Sequence, residues 1–293
     1  MRHGKFGLIG HPIGHSLSPA LFKAGYEGRY PYELIETADF EEAYMRFLEG
    51  YDGINVTAPF KELAFAKADI LSEECKAIGA TNLLIKTQEG VKAYNSDYLG
   101  VRLWLEEIYY KAFRTQAEVS SAGEKRATPL AAGGGAHDEG VGGVLFAADA
   151  HRSWNVLIVG TGGAGKAAAA AAESLGMTVI RMNRTVRDEM TRPLNDFRAC
   201  FREADIVIYN IPTAIPALEE LTAEDYTPGK PKHILEANYK NPSFTDKLIE
   251  RMKGANPLAR YTGGKTWLLY QAVTGYEIFT GEKPYLEMMA DVL

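Results

Sequence analysis

Two short runs of this chain carry residue types that can do chemistry. Residues 55–61 read Asn-Val-Thr-Ala-Pro-Phe-Lys, and residues 159–165 read Val-Gly-Thr-Gly-Gly-Ala-Gly. The first sets an amide, a hydroxyl and an ammonium on one strand-to-helix turn. Side chains two apart on a strand share a face, so Asn55 and Thr57 point the same way, and Lys61 opens the following helix. Further polar groups precede and follow. Ser16 and Ser18 alternate at the start of a helix and could offer two hydroxyls to a carboxylate. Asn82 closes the run Gly-Ala-Thr-Asn, and Asp97 lies within Asn-Ser-Asp-Tyr-Leu-Gly. Taken singly, each has a plainer reading: Ser16 or Ser18 as a helix cap, Asp97 as an N-cap, Lys61 as surface charge. Together they fall at the C-terminal ends of strands, where open α/β sheets bind ligands.

A lysine beside an aspartate suits interconversion of a carbonyl and an alcohol. The Lys61 ammonium can protonate a developing alkoxide, and its amine can accept the hydroxyl proton in reverse. Asp97 can hold both the lysine and the substrate hydroxyl in register. Such general acid–base help contributes ~10²–10⁴ in rate, while the hydride itself comes from a cofactor. Redox chemistry on a hydroxylated acid is the expected activity, and no metal is assigned to it.

The glycine-rich run supplies the cofactor side. Gly160, Thr161, Gly162, Gly163, Ala164 and Gly165 stand between an apolar strand and an alanine-rich helix. There, residues without a Cβ let the backbone turn tightly and set N–H groups against phosphate oxygens. The alternative is a glycine turn that binds nothing. Nucleotide choice rests on the end of the next strand. An acidic residue at that point would accept the ribose 2′-hydroxyl, but the chain has Asn183-Arg184-Thr185, with Arg187 close by. A guanidinium can fork onto a 2′-phosphate, so NADP is expected over NAD. A solvated surface arginine is the plainer reading of Arg184.

These residues need two frames to hold them. Strand and helix patterns alternate, which predicts an α/β fold of two α/β domains around a cleft, with parallel sheets. In the first third, strands are expected over 6–10, 32–36, 53–57 and 82–86, with helices over 17–25, 39–49, 61–69 and 73–78. Gln88-Glu89-Gly90 predicts a hairpin turn and one antiparallel excursion. A helix from Asp97, as its N-cap, to about Tyr110 follows. Over 112–153 the periodicity fails among glycine clusters, which predicts a flexible insertion at a domain boundary. A phosphate cradle there is the weaker reading, because no strong strand precedes it. A second unit starts at Trp154, with strands over 155–159, 178–182, 205–210 and 233–238. Its helices are expected over 163–175 and 245–253. Apolar residues at helical spacing over 264–280, among them Leu268, Ala272, Tyr276 and Phe279, predict a closing helix, and Pro284 starts a last short one.

Composition bounds the partners. A chain of 293 residues suffices for two domains, and 46% hydrophobic with 24% charged residues is ordinary for a globular protein. A net charge of −6 argues against nucleic acid or an anionic membrane as partner. A small-molecule substrate is expected, with monomer and homodimer both open. Cys75 and Cys200 are far apart in the chain and are expected as free thiols in a reducing compartment. The first residues lack a long apolar stretch, and nothing reaches the ~20 apolar residues of a membrane span. A cytoplasmic protein is the expectation.

The spaced motifs, in this order, resemble the shikimate dehydrogenase family across nearly the whole length. The resemblance rests on Ser16-Leu-Ser-Pro, residues 55–61, 79–82, 95–100 and 160–165, and Asn183-Arg184-Thr185. It extends to Glu236-Ala-Asn-Tyr239 and to Gln271 in the closing helix. It implies NADPH-dependent reduction of 3-dehydroshikimate to shikimate, in aromatic amino-acid biosynthesis. A quinate/shikimate dehydrogenase preferring NAD and a non-catalytic shikimate-binding regulator are the alternatives. By motif position, Lys61 and Asp97 would be catalytic. Ser16, Ser18, Thr57, Asn82, Asp97, Tyr239 and Gln271 would contact substrate, and Gly264 would approach the nicotinamide. Without the resemblance, Tyr239 reads as sheet packing and Gln271 as a helix-surface polar group. A closing helix that returns to the first domain is also implied. The boundaries expected are 1–102 plus 265–293 for the substrate domain and 103–264 for the Rossmann-like domain. Departures are the long stretch 112–153, a short segment 183–205 in which one βα unit could be trimmed or missing, Asn210-Ile-Pro-Thr213, and Trp267 in place of a common methionine.

Overall fold

The protein is described by a computed structural model over residues 4–123, 154–186 and 188–293. Its first third begins with β1 (Phe6–Gly10), α1 (Ser18–Gly25), β2 (Tyr32–Glu36), α2 (Phe40–Gly50) and β3 (Gly53–Val56). It continues through α3 (Lys61–Lys67), β4 (Ile70–Leu71), α4 (Glu73–Ile78), β5 (Leu83–Thr87) and β6 (Gly90–Tyr94). The strands form one sheet in the order β2-β1-β3-β5-β6-β4. β1 runs parallel to β2 and β3, whereas β5 is antiparallel to both β3 and β6. The expected antiparallel excursion is therefore present, and this sheet is mixed rather than parallel. Side chains alternate across it: Ile9, Ile35, Ile54 and Val56 pack with Phe40, Phe47 and Phe60 on one face. Phe6 and Leu83 pack with Phe22 and Tyr26 of α1 on the other.

α5 (Ser96–Gly123) leads out of this sheet toward the second unit. That unit holds β7 (Asn155–Val159), α6 (Gly163–Ser174), β8 (Thr178–Asn183), β9 (Thr191–Pro193), α7 (Phe197–Glu203), β10 (Ile206–Tyr209), β11 (Lys232–Glu236), α8 (Asp246–Ala255) and β12 (Ala259–Thr262). All six strands are parallel, in the order β12-β11-β10-β7-β8-β9. This is the Rossmann arrangement, whose switch point lies between β7 and β10. Val156 and Ile158 face α5 and α6, while Leu157 and Val159 face Phe197 and Phe201 of α7. Burial on both faces explains why β7 and β10 read as unbroken apolar runs.

α9 (Gly264–Thr280) returns to the first sheet, with Ala272, Tyr276 and Phe279 packed against Phe6 and Phe22, and α10 (Leu286–Ala290) completes the chain. α5 and α9 lie side by side. A Cβ on Gly100 would stand 2.6 Å from the Gln271 backbone nitrogen, so only glycine permits this approach. The Tyr270 hydroxyl donates to Glu107 at 2.9 Å along the same seam.

Two further expectations are corrected. α5 runs on to Gly123 rather than ending near Tyr110, so the start of the expected flexible insertion is helical. Residues 124–153, and with them the glycine clusters, lie outside the described residues, as does Arg187. Asp97 is not the cap of α5: the helix begins at Ser96, and the Asn95 Oδ1 accepts the Tyr98 N–H at 3.1 Å. The unit after β8 is trimmed, one of the two readings of the short segment 183–205. β9 survives as a parallel edge strand, while no helix is found among the described residues between Asn183 and Thr191. Cys75 and Cys200 are both free and buried.

Candidate active site

A cavity of about 240 Å³ opens at the C-terminal ends of β1 and β3. From the first sheet and its helices, Ser16, Ser18, Asn55, Thr57, Lys61 and Asn82 line it. Asp97 enters from α5, Gln271 from α9, and Tyr239 from the loop after β11. Residues spread over more than 250 positions thus share one small space, since Ser16 and Gln271 both line it.

Local chemistry fixes each wall. Asn95 caps α5 with its Oδ1, and its Nδ2 donates to the Ala80 carbonyl at 3.1 Å. That leaves the Asp97 carboxylate, in the first turn, free to meet Lys61 at the start of α3. The Lys61 Nζ pairs directly with Asp97 Oδ2, with the two side chains 24% and 11% exposed. The pair is thus sheltered yet open to a ligand. Behind it, Asn82 Oδ1 accepts the Ser96 N–H at 2.6 Å and its Nδ2 donates to Ser96 Oγ at 3.0 Å. Asn55 is oriented by the Tyr32 hydroxyl, which donates to its Oδ1 at 2.8 Å, and its Nδ2 donates to the Asn82 carbonyl at 3.4 Å. The Ser16 hydroxyl donates to Ser18 Oγ at 3.1 Å and accepts the Ser18 N–H at 3.2 Å, which holds the two hydroxyls together.

The loop that presents Tyr239 is tied from both sides. Asn238 Nδ2 donates to the carbonyls of Pro212 and Asn241 at 3.0 and 2.7 Å, and its Oδ1 accepts from Lys240 and Asn241. Glu236, fully buried at the end of β11, accepts the N–H groups of Ser243 and Phe244 and the Tyr261 hydroxyl. Burial pushes the Tyr239 phenol up from its ordinary value, so it faces the cavity as a neutral donor.

The glycine turn sits at the edge of this cavity. Gly160 adopts a φ of 95°, and a Cβ on Gly165 would lie 1.9 Å from the Gly160 carbonyl oxygen. Both positions demand glycine. Gly162, Gly163 and Ala164 then open α6, with Thr161 just before them, and Gly163 lies against the Lys61 side chain, 3.8 Å from its Cδ as measured from a built Cβ. Next to the turn, Asn210 leaves a buried Oδ1 without a hydrogen-bond partner. A helix N-terminus behind a turn that only glycine permits fits a bound dinucleotide. Gly264, at the start of α9, packs on the end of β11, where a Cβ would lie 2.3 Å from the Ala237 carbonyl oxygen. Asn183 ends β8, and Arg184 and Thr185 follow it, exposed; Arg184 makes no ion pair among the described residues. Apart from Lys61, none of these residues lines the first cavity. Among the described residues, no group of three His, Cys, Asp or Glu side chains is placed to hold a metal.

Sequence reasoning missed several wall residues. Ser96 and His15 line the cavity, and Tyr276, read only as part of an apolar helix face, lines it as well. Tyr32 acts from behind Asn55. Neither phenol carries a sequence signal beyond ordinary core patterning. Trp267, at the cofactor end of α9, donates its indole N–H to the Asp97 carbonyl at 3.2 Å, which ties α9 to α5.

Residues 8–84 match the family model described as shikimate dehydrogenase substrate binding domain. Residues 144–224 match that of the D-isomer specific 2-hydroxyacid dehydrogenase, NAD binding domain. A shikimate dehydrogenase (NADP(+)) of Carboxydothermus hydrogenoformans is 26% identical, over 97% of this chain and 94% of its own. Among solved structures, the shikimate 5-dehydrogenase of Thermus thermophilus in complex with shikimate superposes with a TM-score of 0.66 at 25% identity, over 98% of this chain and 96% of that one. A quinate dehydrogenase of Corynebacterium glutamicum in complex with NAD shares the fold, with a TM-score of 0.70 at 19% identity, over 98% and 97% of the two chains. Among the described residues, no helix is long and apolar enough to cross a membrane.

Proposed function

We propose that this chain, which belongs to the shikimate dehydrogenase family, catalyses the reversible NADPH-dependent reduction of 3-dehydroshikimate to shikimate, a step of aromatic amino-acid biosynthesis. The observation that carries the reading is the Lys61–Asp97 pair, which faces a hydroxyl-lined cavity beside the glycine turn, where a Cβ on Gly163 would stand 3.8 Å from Lys61 Cδ. When bound, the nicotinamide supplies the hydride. Lys61 gives its proton to the oxygen that becomes the alcohol and recovers it in the reverse direction. Asp97 holds the ammonium toward that oxygen and accepts the new hydroxyl. Ser16 and Ser18 take the substrate carboxylate, and Asn55, Thr57, Asn82, Tyr239 and Gln271 orient the ring hydroxyls. Gly160 to Gly165 receive the pyrophosphate with backbone N–H groups, Asn183, Arg184 and Thr185 take the 2′-phosphate end, and Gly264 leaves room for the nicotinamide.

The sheet arrangement supports residues 1–102 with 265–293 as a substrate domain and 103–264 as the nucleotide domain, with α9 packed on the first sheet. A small-molecule substrate, no nucleic acid or membrane partner, and a monomer or homodimer in the cytoplasm complete the proposal. Net charge and the buried free thiols support it. The test is spectrophotometric: NADP reduction with shikimate, beside arms with quinate and with NAD. Fast turnover with shikimate and NADP is expected. Turnover confined to quinate and NAD, or shikimate binding without turnover, would replace the reading.

A further inference from the structure

The anionic end assigned above to Ser16 and Ser18 has an unusual feature. Lys61 is the sole Lys or Arg among the described residues lining the cavity, and Asp97 already engages it. A carboxylate at the serine end would therefore be held by hydroxyl dipoles without a partnering guanidinium. A serine hydroxyl rotates freely about its C–O bond, so its value as a donor depends on what fixes it. Two phenols, the buried Tyr276 and the half-buried Tyr32, stand directly behind this pair. The Tyr276 hydroxyl donates to the Ser18 carbonyl at 3.1 Å, and Tyr32, whose ring centroid lies 6.0 Å from that of Tyr276, donates to Asn55. Tyr276 belongs to the apolar cluster of Phe6 and Phe22 and Tyr32 packs against it, so the Tyr276 ring cannot move without disturbing the core.

The geometry points to Tyr276, with Tyr32 beside it, as a positioning residue that aims the Ser18 hydroxyl at the carboxylate of the substrate. Tyr276 pins the Ser18 backbone at the first residue of α1, where a small rotation would swing Oγ away from the cavity. Ser16 Oγ, donating to Ser18 Oγ, fills the acceptor side of that hydroxyl and leaves its hydrogen for a ligand. Burial raises the pKa of both phenols well above the ordinary value, against a lowering by the adjacent Ser18 side chain. Each therefore stays protonated and keeps donating throughout the working range. The two rings pack on Phe22 and on each other, while their hydroxyls meet the Ser18 carbonyl and the Asn55 amide.

This inference rests on the function proposed above, and a double-mutant cycle separates the two. Tyr276→Phe keeps the ring and removes the hydroxyl, and Ser18→Ala removes the hydroxyl it is inferred to aim. Steady-state kinetics with shikimate and saturating NADP are measured for the parent chain, both single variants and the double variant. Tyr276→Phe is expected to raise KM for shikimate about tenfold, with kcat within about twofold. In the Ser18→Ala background the same change should shift KM by less than about twofold. Equal losses in both backgrounds, or a fall in kcat with KM unchanged, would overturn the positioning role. Tyr32→Phe, expected to raise KM in the same way through Asn55 and Ser18, serves should Tyr276→Phe not fold. A parent chain without shikimate-dependent NADP reduction would instead overturn the function itself. An active parent with unaltered KM in both phenol variants would overturn the inference alone.

Discussion

Lys61 and Asp97 meet because a different side chain caps α5. Were Asp97 the cap, its oxygens would be spent on backbone N–H groups. Asn95 takes that task with its Oδ1, so the carboxylate in the first turn is left for the ammonium. On the proposed mechanism, Lys61→Ala should lower kcat by about 10²–10⁴-fold. Shikimate affinity, read by calorimetry without cofactor, should change only modestly, because the serine and amide contacts persist. A variant turning over near the parent rate would remove Lys61 from the chemistry. Arg184 makes its own case at this scale. It is exposed and without an ion pair among the described residues, so a 2′-phosphate would gain its guanidinium at little reorganisation. Arg184→Ala is expected to weaken NADPH much more than NADH, about tenfold or more. Fluorescence titrations with both nucleotides read the ratio, and equal losses would assign the arginine to solvent.

At the scale of elements, the glycine turn between β7 and α6 is the most demanding piece of backbone. A Cβ on Gly165 would overlap the Gly160 carbonyl oxygen at 1.9 Å, and relief must come from moving the first turn of α6. Gly165→Ala should therefore weaken NADPH binding by about tenfold or more, with shikimate binding retained because the first cavity does not include this residue. Undiminished NADPH affinity in that variant would mean that the turn does not carry the pyrophosphate. The elements also show where sequence patterns reach their limit. Helical periodicity fades after Tyr110, yet α5 continues to Gly123. The loss of a helix between β8 and β9 was legible as a short segment. Survival of β9 was not, because a three-residue edge strand is set by pairing with Arg181 to Asn183 rather than by its own composition.

Across the whole molecule, stability draws on buried polar groups far from the cavity. Asp225 is fully buried and pairs with Arg198 and Arg202, whose side chains reach solvent. Burial opposes its charge, but hydrogen bonds from Thr222 and the two guanidinium groups hold the carboxyl below the usual range. Lys232 is the opposite case. It is buried where its Nζ donates to the Phe201 and Ala204 carbonyls, and burial pulls its pKa from 10.5 down to about 8. The unfolded chain then holds this proton to higher pH than the folded one, so the group's contribution to stability rises between about pH 8 and 10.5. Lys232→Met should flatten that rise. It also leaves two carbonyls without a donor, which should lower stability at pH 7 by about 1–3 kcal/mol. Urea midpoints at pH 7, 8 and 10, taken as parent minus variant, check both signs, and a difference independent of pH above 8 would contradict the assignment.

The sequence by itself determined the α/β class, the parallel nucleotide sheet, the glycine turn and most polar residues of the cavity. These depend on local period, on residues without a Cβ and on motif order, all of which are written along the chain. Tertiary structure alone brought Tyr276 and Tyr32 behind Ser18 and Asn55, and drew Trp267 onto the Asp97 carbonyl. Those contacts join residues as many as 258 positions apart. Which donor meets which acceptor over such separations is fixed by how α9 packs back on the first sheet, and no nearest-neighbour pattern encodes it.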